Sequence, residues 1–209
     1  MPWSEVTVEA RTVLLDALEA LSEHLDALVL VGAQAIYLHT GEADVPIATT
    51  TTDADLAVIP SLLEADPSID VVMKGAGFSL DLQAGDQPGA WRSAGGVAVD
   101  LLVPKALDAG AGRRSADLKP HPRHTARKVV GLEGAAVDRA PMEIRALEPS
   151  DQRAVTVNVA GAGALVVAKV HKIAERAGDG SRARNKDAHD LYRLLRATTP
   201  PRSRKHSHR

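Results

Sequence analysis

The chain has 209 residues, 44% hydrophobic and 25% charged, with a formal net charge of −2 and a pI near 6.4. That is the balance of an ordinary folded protein, and it excludes both a disordered chain and a global polycation. Aromatics are only 2% and cysteine is absent, which argues against aromatic stacking platforms for single-stranded nucleic acid and excludes disulfides, thiolate nucleophiles and cysteine-ligated zinc.

From Glu5 to His24, Val8, Val13, Leu14, Ala17, Leu18 and Leu21 recur at three- and four-residue steps between charged residues, predicting an amphipathic helix. Ala27 to Val31 is a short apolar run closed by Gly32, the pattern of a strand buried on both faces. A second helix, Ala33 to His39, is expected to end at Thr40-Gly41. After a polar loop from Glu42 to Thr52, Asp53-Ala54-Asp55-Leu56-Ala57-Val58-Ile59 reads as a strand stopped by Pro60. Short helices are predicted at Ser61–Asp66 and Ile69–Ala76, then strands at Phe78–Gln83, Ala90–Ser93 and Val97–Val103. Lys105 to Val137, rich in Gly, Ala, Arg and His, carries no clear period. Val155–Val159 is expected as a strand, followed by helices Ala164–Ala177 and Asn185–Ala197 and a basic tail after Pro200-Pro201. The expected organisation is an α/β (α+β) mixed sheet flanked by helices: a core over residues 1–150, a C-terminal strand and helical part over 151–199, and a tail over 200–209. No apolar run approaches the roughly 18–20 residues of a membrane span and the N-terminus has no secretory pattern, so a cytoplasmic location without membrane contact is expected.

Chemistry concentrates in three aspartates. Asp53 and Asp55 stand at i and i+2 of a strand, so their side chains share one face. Like charges that close repel and raise each other's pKa unless a cation lies between them, and an all-oxygen site suits Mg²⁺. Asp100, inside Val97-Ala98-Val99-Asp100-Leu101-Leu102-Val103, is a carboxylate in an otherwise buried pattern. On a neighbouring strand it completes a cluster able to hold two ions about 3.5–4 Å apart, as in phosphoryl and nucleotidyl transfer. An isolated D-x-D pair reads equally as a solvated turn. The strand, glycine turn and helix N-terminus at Val31-Gly32-Ala33, where backbone N–H groups receive phosphate, favour the metal reading.

With these residues in place, the sequence resembles the polymerase-β-like nucleotidyltransferase superfamily, and within it the AbiEii-type nucleotidyltransferase toxins. The resemblance runs from about Leu28 to Leu195 and rests on Gly32-Ala33, Thr52-Asp53-Ala54-Asp55-Leu56, Asp100, Val167-Ala168-Lys169-Val170-His171-Lys172 and Lys186-Asp187-Ala188-His189-Asp190-Leu191. It implies two Mg²⁺ ions on Asp53, Asp55 and Asp100, and a nucleoside triphosphate bound near Gly32, Ala33, Gln34, Thr52 and Lys169. It also implies a supporting Asp187, the 3′ end of tRNA as an acceptor, and a cognate antitoxin as partner. A protein hydroxyl or a small molecule such as an aminoglycoside stays open as acceptor. Two departures are visible: Ala33 where a serine often helps bind phosphate, and a Thr40–Thr52 segment longer than the usual connection. They keep open a second reading, a non-catalytic binding protein of this fold acting through a partner.

Other features have plainer readings. Thr49-Thr50-Thr51-Thr52 suits entry into a strand. Lys172 reads as a snorkelling lysine on a solvated edge. Asp187 and Asp190 at a helix start are also what dipole complementarity alone produces. The eight histidines show no zinc spacing. The basic groups Arg113-Arg114, Lys119, Arg123, Arg127 and Lys128, and Arg182, Arg184 and Lys186, suit either a solvated face or contact with phosphates.

Overall fold

The computed structural model of the chain describes residues 3–41, 51–81, 87–112, 114–175 and 182–198, with the side chains of 182–185 left aside. The sequence expectations for the loop residues 42–50, residues 82 and 83, Arg113, residues 176–180 and the tail lie outside the described residues, as do the side chains of Arg182 and Arg184.

Helix α1 (Glu5–Ala20) starts where the Ser4 hydroxyl accepts the backbone N–H of Thr7, and its apolar face buries Leu14, Leu15 and Leu18 completely. Full burial of such side chains is worth roughly 1.5–3 kcal/mol each. A 3₁₀ segment, Ser22–Ala27, follows, so the expected single helix to His24 is a helix and a tighter turn. Strand β1 (Leu28–Val31) leads straight into α2 (Gly32–Thr40), and Gly41 ends that helix at a φ of 55°. Strand β2 (Asp53–Val58) runs to a 3₁₀ turn at Pro60–Leu62, shorter than the helix expected there. Next come α3 (Ile69–Gly75), β3 (Ser79–Leu80), β4 (Ala90–Arg92) and β5 (Ala98–Pro104). The segment without a clear period supplies β6 (Arg127–Val129), and β7 (Arg139–Arg145), which the sequence reading left unassigned, pairs with β8 (Ala154–Ala160). Helices α4 (Ala162–Glu175) and α5 (Arg182–Thr198) close the chain.

The strands form one mixed sheet in the order β3-β4-β5-β2-β1-β8-β7, with β6 added beside β5. β1 runs antiparallel to β2 and parallel to β8, while β2 runs parallel to β5. This is the mixed α/β fold expected from the sequence. Because β8 sits between β1 and β7, a boundary at residue 150 falls within the β7–β8 hairpin of the core sheet. Among the described residues no helix is long and apolar enough to cross a membrane.

One buried polar knot fixes the start of β2. The Gln34 side-chain amide donates to the carbonyls of Ala10 (3.1 Å) and Asp53 (3.3 Å), and its oxygen accepts from Arg11 Nε at 2.7 Å. Arg11 reaches on to the carbonyl of Arg145 at 2.9 Å. Burial brings the Arg11 pKa down to about 10. Its partners here are the neutral oxygens of an amide and a carbonyl, so the Gln34 amide carries much of the compensation for a buried charge. Gln34→Leu should therefore lower unfolding free energy by about 2–3 kcal/mol in urea titrations, with part of it recovered when Arg11→Met is added. A loss under about 0.5 kcal/mol would show the knot to be dispensable.

Candidate active site

The parallel pairing of β2 with β5 sets Asp55 opposite Asp100 and Asp53 opposite Ala98. Residues opposite one another in a sheet point to the same face, as do residues two apart, so the three aspartates share a face. All three are partly exposed.

Across this face stands the β1–α2 turn. Gly32 opens α2 at a φ of 69° and no side chain caps the helix. A Cβ placed on Gly32 would overlap Asp55 Oδ2 and fall 2.9 Å from its Cγ. The turn therefore needs glycine twice, for its left-handed backbone and for the neighbouring carboxylate. Ala33 is buried just inside the helix. Gln34, expected at the nucleotide, is turned inward instead, its amide engaged in the knot that holds β2. Thr52 is exposed, and its neighbour Thr51 is the threonine that meets Asp53: the buried Thr51 hydroxyl lies 3.0 Å from Asp53 Oδ1 and 3.2 Å from its carbonyl.

Burial pushes the Asp55 carboxyl above the ordinary carboxylate range. Lys172 opposes that rise, Asp53 and Asp100 add to it, and Lys169 opposes it further. Asp100 accepts from Arg127 at 2.5 Å, a pair with side chains 16% and 21% exposed. Desolvation weakens the Arg127 cation, yet Asp100, then Asp55 and Asp53, hold its pKa above the usual value. A cavity of about 300 Å³ opens here, with Gly32, Asp55, Arg127, Lys169 and Lys172 in its wall. Its charges combine an acidic patch with a cationic wall.

Among the described residues, no three His, Asp or Glu side chains are gathered to hold an ion. The donors present fit a smaller task. Asp53 and Asp55 are hard oxygen ligands on one face, and mutual repulsion at Asp55 is what a cation relieves. Mg²⁺ is commonly held by one or two carboxylates plus substrate phosphates.

Lys169, expected to contact phosphates, is 6% exposed, and its ammonium donates to Asp187 at 2.9 Å and Asp190 at 2.7 Å. Burial works against this cation, but Asp190 and Asp187 outweigh it and hold the Lys169 pKa above its usual value. The triad joins α4 to α5 beside the cavity. Asp187, expected as a support of the site, bonds Lys169, and Asp190, which the sequence offered only as a complement to the helix dipole, is its second acceptor about one helical turn further along. Lys172, read as a solvated edge, is only partly exposed and lines the cavity.

The first basic cluster is divided. Arg127 goes to Asp100; Lys128 pairs with the buried Asp108; Lys119 lies 3.3 Å from Asp117; and His121 is buried, its ring bonded to Ile69 N–H and the Glu64 carbonyl. Arg114 and Arg123 line a separate cavity of about 720 Å³.

The model of a family described as Nucleotidyltransferase matches residues 10–208. Among solved structures, the chain is similar to an antigenic nucleotidyltransferase-like protein from Paracoccidioides brasiliensis, with a TM-score of 0.51 and 16% identity over 96% of this chain and 80% of that one. That likeness is one of fold. No curated protein matches the chain.

Two outcomes follow from this geometry. Gly32→Ala should destabilise by at least about 1 kcal/mol from backbone strain alone, with the carboxylate overlap added. Asp55→Ala in the same chain should restore the overlap component but not the strain, which thermal unfolding of the single and double variants separates. For Asp55, a folded-state pKa above the unfolded value means that its contribution to stability is full in acid and is lost as pH rises through the folded pKa. Asp55→Asn should accordingly raise the melting temperature of the metal-free protein at pH 7, by about 2–4 °C per kcal/mol gained. That gain should vanish below pH of about 4; equal melting temperatures at pH 7 would contradict the burial assigned to Asp55.

Proposed function

The chain belongs to the nucleotidyltransferase family, and on that premise we propose that it transfers a nucleoside monophosphate from an NTP to an acceptor hydroxyl in an Mg²⁺-dependent reaction. The observation that carries the reading is the register that sets Asp55 beside Asp100 on the face shared with Asp53, opposite the uncapped start of α2.

In this reaction the acceptor oxygen bonds to the α-phosphorus, and the bond from that phosphorus to the α,β-bridging oxygen breaks. Pyrophosphate leaves with the electron pair, and the hydroxyl proton passes to a carboxylate of the acidic face. Asp53 and Asp55 would hold the Mg²⁺, which would supply charge neutralisation on the phosphates. The first backbone N–H groups of α2, from Gly32 and Ala33, receive phosphate oxygens, which suits both the missing cap and the small residues there. Lys172 adds positive charge at the cavity wall. Lys169, tied to Asp187 and Asp190, acts on the site by holding α4 in place and through its field at Asp55. Catalysis on this reading is positioning plus electrostatic stabilisation.

For the acceptor, the resemblance to AbiEii-type toxins favours the 3′ end of tRNA, with growth inhibition and a cognate antitoxin as the biological setting. A non-catalytic reading has one observation in its favour: Asp100 and Lys169 both already hold internal partners.

The two readings separate on incubating the protein with each labelled NTP, Mg²⁺ and, in turn, total RNA, protein and an aminoglycoside. Label should move to one acceptor, and Asp55→Ala should lower the rate by about 10²–10³-fold, the scale of losing one strong electrostatic contribution. Wild type indistinguishable from Asp55→Ala on every acceptor, with NTP still bound in calorimetry, would establish the binding-protein reading instead.

A further inference from the structure

The pairing of Asp100 with Arg127 bears on how many ions this site takes. Asp100 is the carboxylate that a second divalent cation would require, since Asp53 and Asp55 together suffice for one ion completed by phosphate oxygens. Arg127 Nη2 lies 2.5 Å from Asp100 Oδ2, both side chains being largely buried. The backbone at the arginine is held from behind. Its strand β6 pairs with β5, with Leu102 opposite Arg127, and Ser115 bridges to it from the other side. Just before it, the Thr125 carbonyl accepts from the indole N–H of the fully buried Trp91 at 3.0 Å. These contacts fix where the side chain starts, and the 2.5 Å bond to Asp100 fixes where it ends.

The guanidinium also has unused capacity. Its Nη1 is buried and has no hydrogen-bond partner among the described residues, while Arg127 borders the cavity that holds Asp55 and the α2 turn. An unpaired buried donor on a cation is costly unless an acceptor joins it. The acceptor that chemistry supplies here is a phosphate oxygen, which the planar fork of arginine meets while its other nitrogen keeps the carboxylate.

We propose that Arg127 takes the place of a second divalent cation, neutralising Asp100 and offering Nη1 to a phosphate oxygen of the NTP, so that the chain binds one divalent ion, at Asp53 and Asp55. The inference rests on the metal-dependent reading above, but departs from the two-ion site that the sequence implied.

The test counts ions. The full chain is titrated with Mn²⁺ alone and the unbound ion is followed by electron paramagnetic resonance, with circular dichroism melts to verify that each variant is folded. Wild type and Arg127→Lys should bind one Mn²⁺ per chain. Arg127→Gln, which leaves Asp100 unpaired, should bind two. Two ions on the wild type, or one on folded Arg127→Gln, overturns the proposal and leaves the metal-dependent reading intact; where the free chain binds none, the count taken with a non-hydrolysable NTP analogue present decides, and no ion on the wild type there removes that reading itself. Should Arg127→Gln fail to fold, the wild-type count decides alone. In a second arm, calorimetry with a non-hydrolysable NTP analogue at saturating Mn²⁺ should find Arg127→Lys about tenfold weaker than wild type, since an ammonium lacks the fork. Equal affinity would overturn the phosphate contact.

Discussion

Three carboxylates on one face of a sheet are a configuration that electrostatics opposes, and the fold around Asp53, Asp55 and Asp100 is organised by that opposition. Their separation is fixed by the ladder between β2 and β5, so repulsion cannot be relieved by letting the strands drift. What remains is to surround the patch with positive charge. Arg127 meets Asp100 directly, while Lys172 and Lys169 act on Asp55 through space. The cations come from two separate parts of the chain: β6 contributes one and α4 the other two. The acidic face thereby draws sheet and C-terminal helices together.

Helices α4 and α5 are held by the reverse arrangement, one cation between two carboxylates. Lys169 sits between Asp187 and Asp190 with almost no exposure. Buried ion pairs of this kind add little net stability, because desolvation offsets attraction, but they specify geometry, since removing one partner strands the others. That suits a wall that has to keep a fixed distance from a charged patch. The Arg11–Gln34 knot behaves similarly on the other side, where a neutral amide ties α1, α2 and the β2 entry to one point.

Much of this was legible in the sequence because period and punctuation speak directly to local structure. The D-x-D strand, the Gly32 turn, the strand around Asp100 and both late helices stand close to their expected positions, as alternation and breakers act over a few residues. What escaped depends on partners far away in the chain. Gln34 looks like part of a phosphate turn until Arg11 is seen beside it, and Lys169 looks available until Asp190 closes on it. Arg127 was one of a row of basic residues in a segment without a period; only the β5–β6 pairing singles it out. Strand β7, with mixed exposed and half-buried residues along an edge, has too weak an apolar alternation to be read alone.

The contact between Gly32 and Asp55 binds two positions far apart in sequence into a single inherited unit. A descendant that acquires a side chain at 32 must vacate or redirect the carboxylate at 55, and with it the acidic face. Under the metal-dependent reading proposed for this face, the identity of one inconspicuous glycine is therefore a marker for sorting kindred sequences into those equipped for chemistry and those that keep only the scaffold.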